Sequence, residues 1–381
     1  MIQELKAIVK DEGVMLFFFF LPIAYPLIYS WIYNNEVVRD VPVVLVDDSH
    51  SAMSREFSMR LDASPDVNIA YRSGSIDEGR LHIGRGEAYG IVYIPADFDR
   101  KCGRMEQAHI SLYCDMSYML TYKAIFSAAT AVAMDMGADI QRQRLGGKTD
   151  RDDAIATQPL TFDEVPIFNT TGGYGNFILP GVLVLIIQQA MLLGVGMISG
   201  TERERAFANY RRDKGRSRMR QAVTVLCGKS SAYLLIFSVM LAWITLVVPR
   251  FFGFVSLVHG MDLLLFFIPY LLACVFFAIT LSELVRYRES VMLVVVFSSV
   301  PLLFLSGVSW PQSAMPGFWQ GVSTLFPSTF GIRGFIRMSS MGALLPDVAR
   351  ECQALWMQMV CYACTALLVV WRRVGYADSV N

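Results

Sequence analysis

Long uncharged apolar runs alternate with short charged stretches along most of this chain, and one broad polar interval interrupts them near the start. The runs cover residues 14–33, 177–199, 230–248, 263–282, 290–310 and 352–371, each 19 to 23 residues long. A helix rises about 1.5 Å per residue, so each run reaches roughly 30 Å, the thickness of a bilayer's hydrocarbon core. The pattern therefore predicts six membrane spans. The first carries Tyr29, Trp31 and Tyr33 at one edge, where aromatic rings sit at headgroup level, and Pro22 and Pro26 should kink it. It is long for a signal peptide, and NNEVVRD after it offers no small-residue cleavage pattern.

Residues 1–13 place Ile2, Leu5, Ile8 and Val9 at helical spacing with charges between them, which predicts a short helix lying in the membrane interface. The polar interval, residues 34–176, has no run long enough to span. Its strands are expected at 41–48, 67–72, 88–95 and 109–115, with helices at 50–63, 75–84 and 119–144. Ser75 followed by Glu78 is a capping box. In the long helix Ile125, Ala128, Ala129, Val132, Ala133, Met136 and Ile140 line one face, and residues 146–159 read as a loop before an extended piece at 162–168. The fold class expected is thus an α-helical polytopic membrane protein of six spans with an inserted extracytoplasmic α/β domain.

Composition agrees. Hydrophobic residues make up 54% and charged residues 17%, and the mean hydropathy is +0.43, which excludes an ordinary soluble enzyme. Net charge is zero, so only its placement informs. Lys and Arg concentrate in 200–229, 283–289 and 372–381, whereas the link 249–262 holds only Arg250. By the positive-inside rule both termini are cytoplasmic and residues 34–176 lie outside. Seven cysteines form no secreted-type framework; Cys102 and Cys114 could pair in an oxidising compartment or stay as thiols.

Motifs for catalysis are missing. Gly147, Lys148 and Thr149 end like a phosphate-binding loop, but Arg142 stands where its first glycine belongs, and helix, not strand, precedes it. No GxSxG or HExxH occurs, the four histidines have no metal-ligand spacing, and Cys361 and Cys364 lie in a span without the βαβ setting of a redox pair. No enzyme activity, cofactor, metal or nucleic acid is therefore expected, and membrane lipid is the surroundings. Gly196 and Gly200 form a GxxxG suited to close helix contact. Lys229 opens the third span, where its stem is expected to snorkel toward the interface. Gln188 and Gln189, adjacent amides in mid-span, serve either as interhelical hydrogen-bond glue or as lining of a transport path. Residues 306–342 are semi-apolar and broken by Pro311, Pro316 and Pro327, which suits short helices dipping into the membrane.

The second run passes without spacer into GTERERAFANYRRDKGRSRMR, with eight Lys or Arg against three acids, a cytoplasmic handle over 200–222. This order of parts, with VDDSHSAMSREF, YGIVYIPADF, NFILPGVLVLIIQQ before GTERERAF, and WPQSAMPGFWQGVSTLFP, resembles the membrane subunit of a type-2 ATP-binding-cassette (ABC) exporter along the whole chain. The resemblance implies a bacterial inner-membrane permease that pairs with a second copy or a paralogue and is driven by a separate nucleotide-binding ATPase subunit. It also implies that 201–210 is the coupling helix, with Thr201, Glu202, Arg203, Glu204, Arg205 and Tyr210 facing that subunit, and that 1–13 is the elbow helix. The substrate expected is hydrophobic or amphipathic. A membrane-anchored sensor is the alternative, for which six spans and broken helices are excessive.

Overall fold

The computed structural model describes residues 1–104, 106–145, 151, 165, 167–170, 172–204, 217–283 and 287–379. Two compact units emerge, Met1–Glu36 with Pro166–Asn381, and Val37–Val165. The chain starts with α1 (Ile2–Lys10), in which Glu4 and Ile8 form the buried face while Ile2 and Val9 point outward. The apolar spacing is thus only half used for packing. A break at Asp11, whose side chain accepts from the Val14 amide, leads into α2 (Glu12–Ile32). This helix widens to a π turn at Leu16–Phe20.

In the second unit, β1 (Val41–Asp47), α3 (Ala52–Asp62), β2 (Val67–Arg72), α4 (Ile76–Gly84), β3 (Gly90–Ile94), α5 (Phe98–Gly103), β4 (Ser111–Cys114) and α6 (Met119–Leu145) follow one another. The sheet order is β2-β1-β3-β4, with β1 parallel to β2 and β3, and β4 antiparallel at the edge. Because β1 is covered on both faces, its sequence is almost continuously apolar. Val43 and Leu45 meet Phe57, Leu61, Ile125 and Met136 on one side, and Val44 and Val46 meet Ile91 on the other. Half of the Ser75 capping box forms: the Glu78 amide donates to Ser75 Oγ, but the Glu78 carboxylate accepts from the Gly74 amide and not from that of Ser75. On α6, Ala133 faces outward although the spacing puts it inside, and α5 had no periodic signal because it is too short to carry one. Cys102 and Cys114 are free thiols, so no bridge forms, and burial pushes the Cys114 thiol up to about 11. Most of 146–168, including Gly147, Lys148 and Thr149, falls outside the described residues.

The first unit resumes with α7 (Tyr174–Glu204), a 31-residue helix buried over most of its length. Then come α8 (Arg218–Phe252), with a second π turn at Trp243–Val247, and α9 (Gly260–Leu281). Next are α10 (Ser290–Leu305), α11 (Gly317–Ser323), α12 (Pro327–Met341) and α13 (Ala349–Ser379). Gly194 on α7 is a notch for Phe18, since a Cβ there would lie 1.8 Å from that ring. The π turn aims Phe18 into the notch, where its ring also packs edge-on against Tyr233 and Phe237. Among the described residues five helices, α2, α7, α8, α9 and α13 (there counted from Leu345), are long and apolar enough to cross a membrane. The fifth run differs from its expectation of 290–310. Its helix stops at Leu305 after 16 residues, about 24 Å at the helical rise, because Gly307 turns the chain with φ +93°.

The broken segment folds around proline. Pro316 precedes α11 and Pro327 opens α12, where a missing N–H costs nothing. The first turn of α12 begins opposite the middle of α7. There the Ser328 amide donates to Gln188 Oε1 at 2.7 Å, Gln358 Nε2 donates to the Thr324 carbonyl at 2.6 Å, and the Tyr362 hydroxyl donates to the Leu325 carbonyl. A chain reversal buried in a helix bundle needs such partners for its backbone. α12 itself is buried, its Gly331 and Gly334 lying against the rings of Tyr270 and Phe266.

Candidate functional site

The charged end of α7 is where the chain's ionic groups meet. α7 runs on past the apolar run to Glu204, α8 begins at Arg218 behind its Ser217 cap, and α13 continues beyond Trp371. Each helix thereby carries one or more charges from beside its apolar stretch into the packed interior. Lys229 on α8 gives Nζ to Glu4 of α1 at 2.8 Å and to Glu202 of α7 at 2.7 Å. The Tyr233 hydroxyl also donates to Glu4. Arg373 on α13 lies 4.0 Å from Glu202, donates to Ser199 at 3.3 Å and Ser282 at 3.0 Å, and pairs with Glu283 at 3.1 Å. Arg203 closes the row on Glu283 at 3.3 Å.

The signs alternate along this row, and Glu4, Glu202, Lys229 and Arg373 are each at least nine-tenths buried. Buried charges persist only when paired, and removing one partner strands the others. The row is therefore a clamp on α1, α7, α8, α13 and the link after α9. Beside it, Arg288 grips both oxygens of Asp11 and also donates to Thr201 Oγ1 at 3.1 Å. Burial pushes the Asp11 carboxyl up, but the Arg288 guanidinium and the Val14 amide more than offset this and hold it below its ordinary value.

Lys229 does not snorkel. It turns inward because two carboxylates wait there, a correction to the sequence expectation. Of the residues expected to couple to another subunit, Thr201, Glu202 and Arg203 are engaged inside the chain, Glu204 is exposed at the helix end, and Arg205 and Tyr210 fall outside the described residues. Gln188 and Gln189 are both buried in helix contacts. Gln188 caps α12, and Gln189 Nε2 donates to Ser299 of α10 at 3.0 Å. Glu4, Asp11, Tyr233, Glu283, Arg288 and Arg373 escaped the sequence reading, although Glu4 and Ile8 share one face of α1 at the i, i+4 spacing.

A family model described as ABC-2 family transporter protein matches residues 13–368. The chain belongs to that family. A comparison with curated protein sequences finds no match. An ABC-2 permease is the membrane subunit of an ABC transporter, and membership implies an ATP-binding subunit as its partner. In this ABC-2 permease the ionic clamp sits where α7 gives way to the charged segment 205–216, and so at the base of the segment its resemblance marks for coupling.

Proposed function

We propose that this ABC-2 permease exports a hydrophobic or amphipathic substrate across a bacterial cytoplasmic membrane, driven by a separate ATPase subunit that docks on residues 201–210. The observation that carries the reading is the Glu202–Lys229–Glu4 bridge. A push on the exposed end of α7 at Glu204 reaches α1, α8 and α13 through paired charges that cannot separate cheaply. Thr201, Glu202 and Arg203 then fix the coupling segment to the bundle, while Glu204, Arg205 and Tyr210 face the ATPase. The substrate path runs beside α7, with Gln188 and Gln189 at mid-depth.

The same contacts support six crossings. The ionic end gathers the start of α2, the end of α7, the start of α8, the end of α9, the start of α10 and the end of α13. Helices that alternate in this way cross an even number of times, with α10 as the short crossing, both termini in the cytoplasm, and Val37–Val165 outside. The outward apolar face of α10, with Leu293, Val296, Phe297 and Val300, supports pairing with a second copy or a paralogue. Gentle purification should bring down a subunit carrying GxxxxGK[ST], and Glu204→Arg should leave the complex assembled while uncoupling ATP hydrolysis from export. Purification of the permease alone, or full export by that variant, would overturn the reading.

A further inference from the structure

Arg333 lies one and a half turns into α12, between the mid-depth start of that helix and its far end. Its Nε donates to the Ser306 carbonyl at 2.9 Å, and its guanidinium lies 6.0 Å from the Phe330 ring. Its Nη2 is buried without a hydrogen-bond partner among the described residues. Arg337, one turn further, takes Glu351 at 3.2 Å. Two cations on one helix face therefore share one acid, and Arg333 is left with a carbonyl. A charge held in a membrane segment with only a shared counter-ion is costly, and such residues mark ligand or ion sites.

The turn above it adds a second observation. Gly307 has φ +93°, and a Cβ there would lie 3.6 Å from Arg333 Nε and 3.9 Å from Nη2. Any side chain would cover the guanidinium on that face, and glycine leaves only a thin strip of backbone over it. On either side of this turn along the chain Phe304 and Trp310 are exposed apolar surface. A cation under a glycine turn that is flanked by exposed apolar side chains matches the two ends of one molecule.

We infer that Arg333 receives the anionic head, phosphate or carboxylate, of an amphiphile whose tail lies along these apolar side chains. A planar guanidinium suits such oxygen pairs. The inference rests on the export reading for the identity of the amphiphile as cargo, but not for the site itself.

The test uses the full-length protein in phosphatidylcholine nanodiscs, with fluorescent dodecyl phosphate and a dodecyl glucoside carrying the same label. The phosphate probe should bind at least about tenfold tighter, as expected for a hydrogen-bonded ion pair. Arg333→Gln should abolish that preference while leaving glucoside binding unchanged, and Arg333→Lys, which keeps the charge, should retain most of it. Equal affinity for both probes in the unaltered protein, or an undiminished preference in Arg333→Gln, would overturn the site. With the ATPase subunit added, stimulation of ATP hydrolysis by dodecyl phosphate marks cargo, and tight binding without stimulation marks a resident lipid. Both support the anion site. Absence of any ATPase partner would sink the export reading and leave the probe comparison decisive for Arg333.

Discussion

Glu202, near the end of α7, and Lys229, about three turns into α8, lie 2.7 Å apart, and neither side chain is more than a tenth exposed. Adjacent in space but separated by the charged segment 205–216, they hold α7 and α8 together whatever that segment does. Lys229→Ala leaves Glu4 and Glu202 buried without their shared cation. A loss of roughly 3–5 kcal/mol is expected, seen as a large fall in the thermal midpoint in detergent. Glu204→Ala, at an exposed helix end, should shift stability by less than about 0.5 kcal/mol. Equal stability of the two variants would remove the clamp.

The Asp11–Arg288 pair makes a prediction about acid. The folded-state carboxyl of Asp11 is held below its ordinary value of 3.8, so its contribution is fully present above that value and is lost as pH falls through the lower folded one. The midpoint difference between the unaltered protein and Asp11→Asn should be constant from pH 7 to about pH 5 and shrink below about pH 4. A difference that grows on acidification would contradict the pairing.

Gln188 is expected to matter for the re-entry of α12 into the bundle. Gln188→Leu keeps the volume and leaves the Ser328 amide buried with no acceptor, at a cost of about 1–3 kcal/mol. Hydrogen exchange in the first turn of α12 should speed up, while exchange in α9 stays slow. If export falls and that exchange does not change, Gln188 serves the path and not the cap.

Much of this architecture was legible from apolar runs, because a bilayer demands length and lack of charge and little else. The strands of the second unit were legible for the related reason that β1 is buried on both faces. The ionic clamp was not legible, and the cause is visible in the numbering. Uncharged windows end where the first charge begins, so Glu202, Lys229, Glu283 and Arg373 each fall one to three residues outside one. Sequence spacing cannot say that a helix continues through such a charge and turns it inward, since a solvated helix end has the same composition. Only the partner supplies the reason, and the partners are distant: Glu4 and Lys229 are 225 residues apart. The short α10 was overread because Ser306 to Trp310 are uncharged, while Gly307 bends the backbone there.

The Phe18–Gly194 contact allows a test of the helix core by compensation. A methyl group at position 194 would fall 1.8 Å from Phe18 Cε1, far inside van der Waals contact, so Gly194→Ala must displace either the ring or α2. Overpacking of this kind costs about 1–3 kcal/mol. Phe18→Leu alone should also destabilise, through lost packing against Tyr233 and Phe237. Combined, the two changes relieve one another, because the smaller side chain makes room for the added methyl. The double variant should therefore unfold at a higher temperature than the sum of the single effects allows, with a favourable coupling of at least about 0.5 kcal/mol. Additive losses would mean that α2 does not seat Phe18 in the α7 notch, and that the π turn at Leu16–Phe20 serves some other contact.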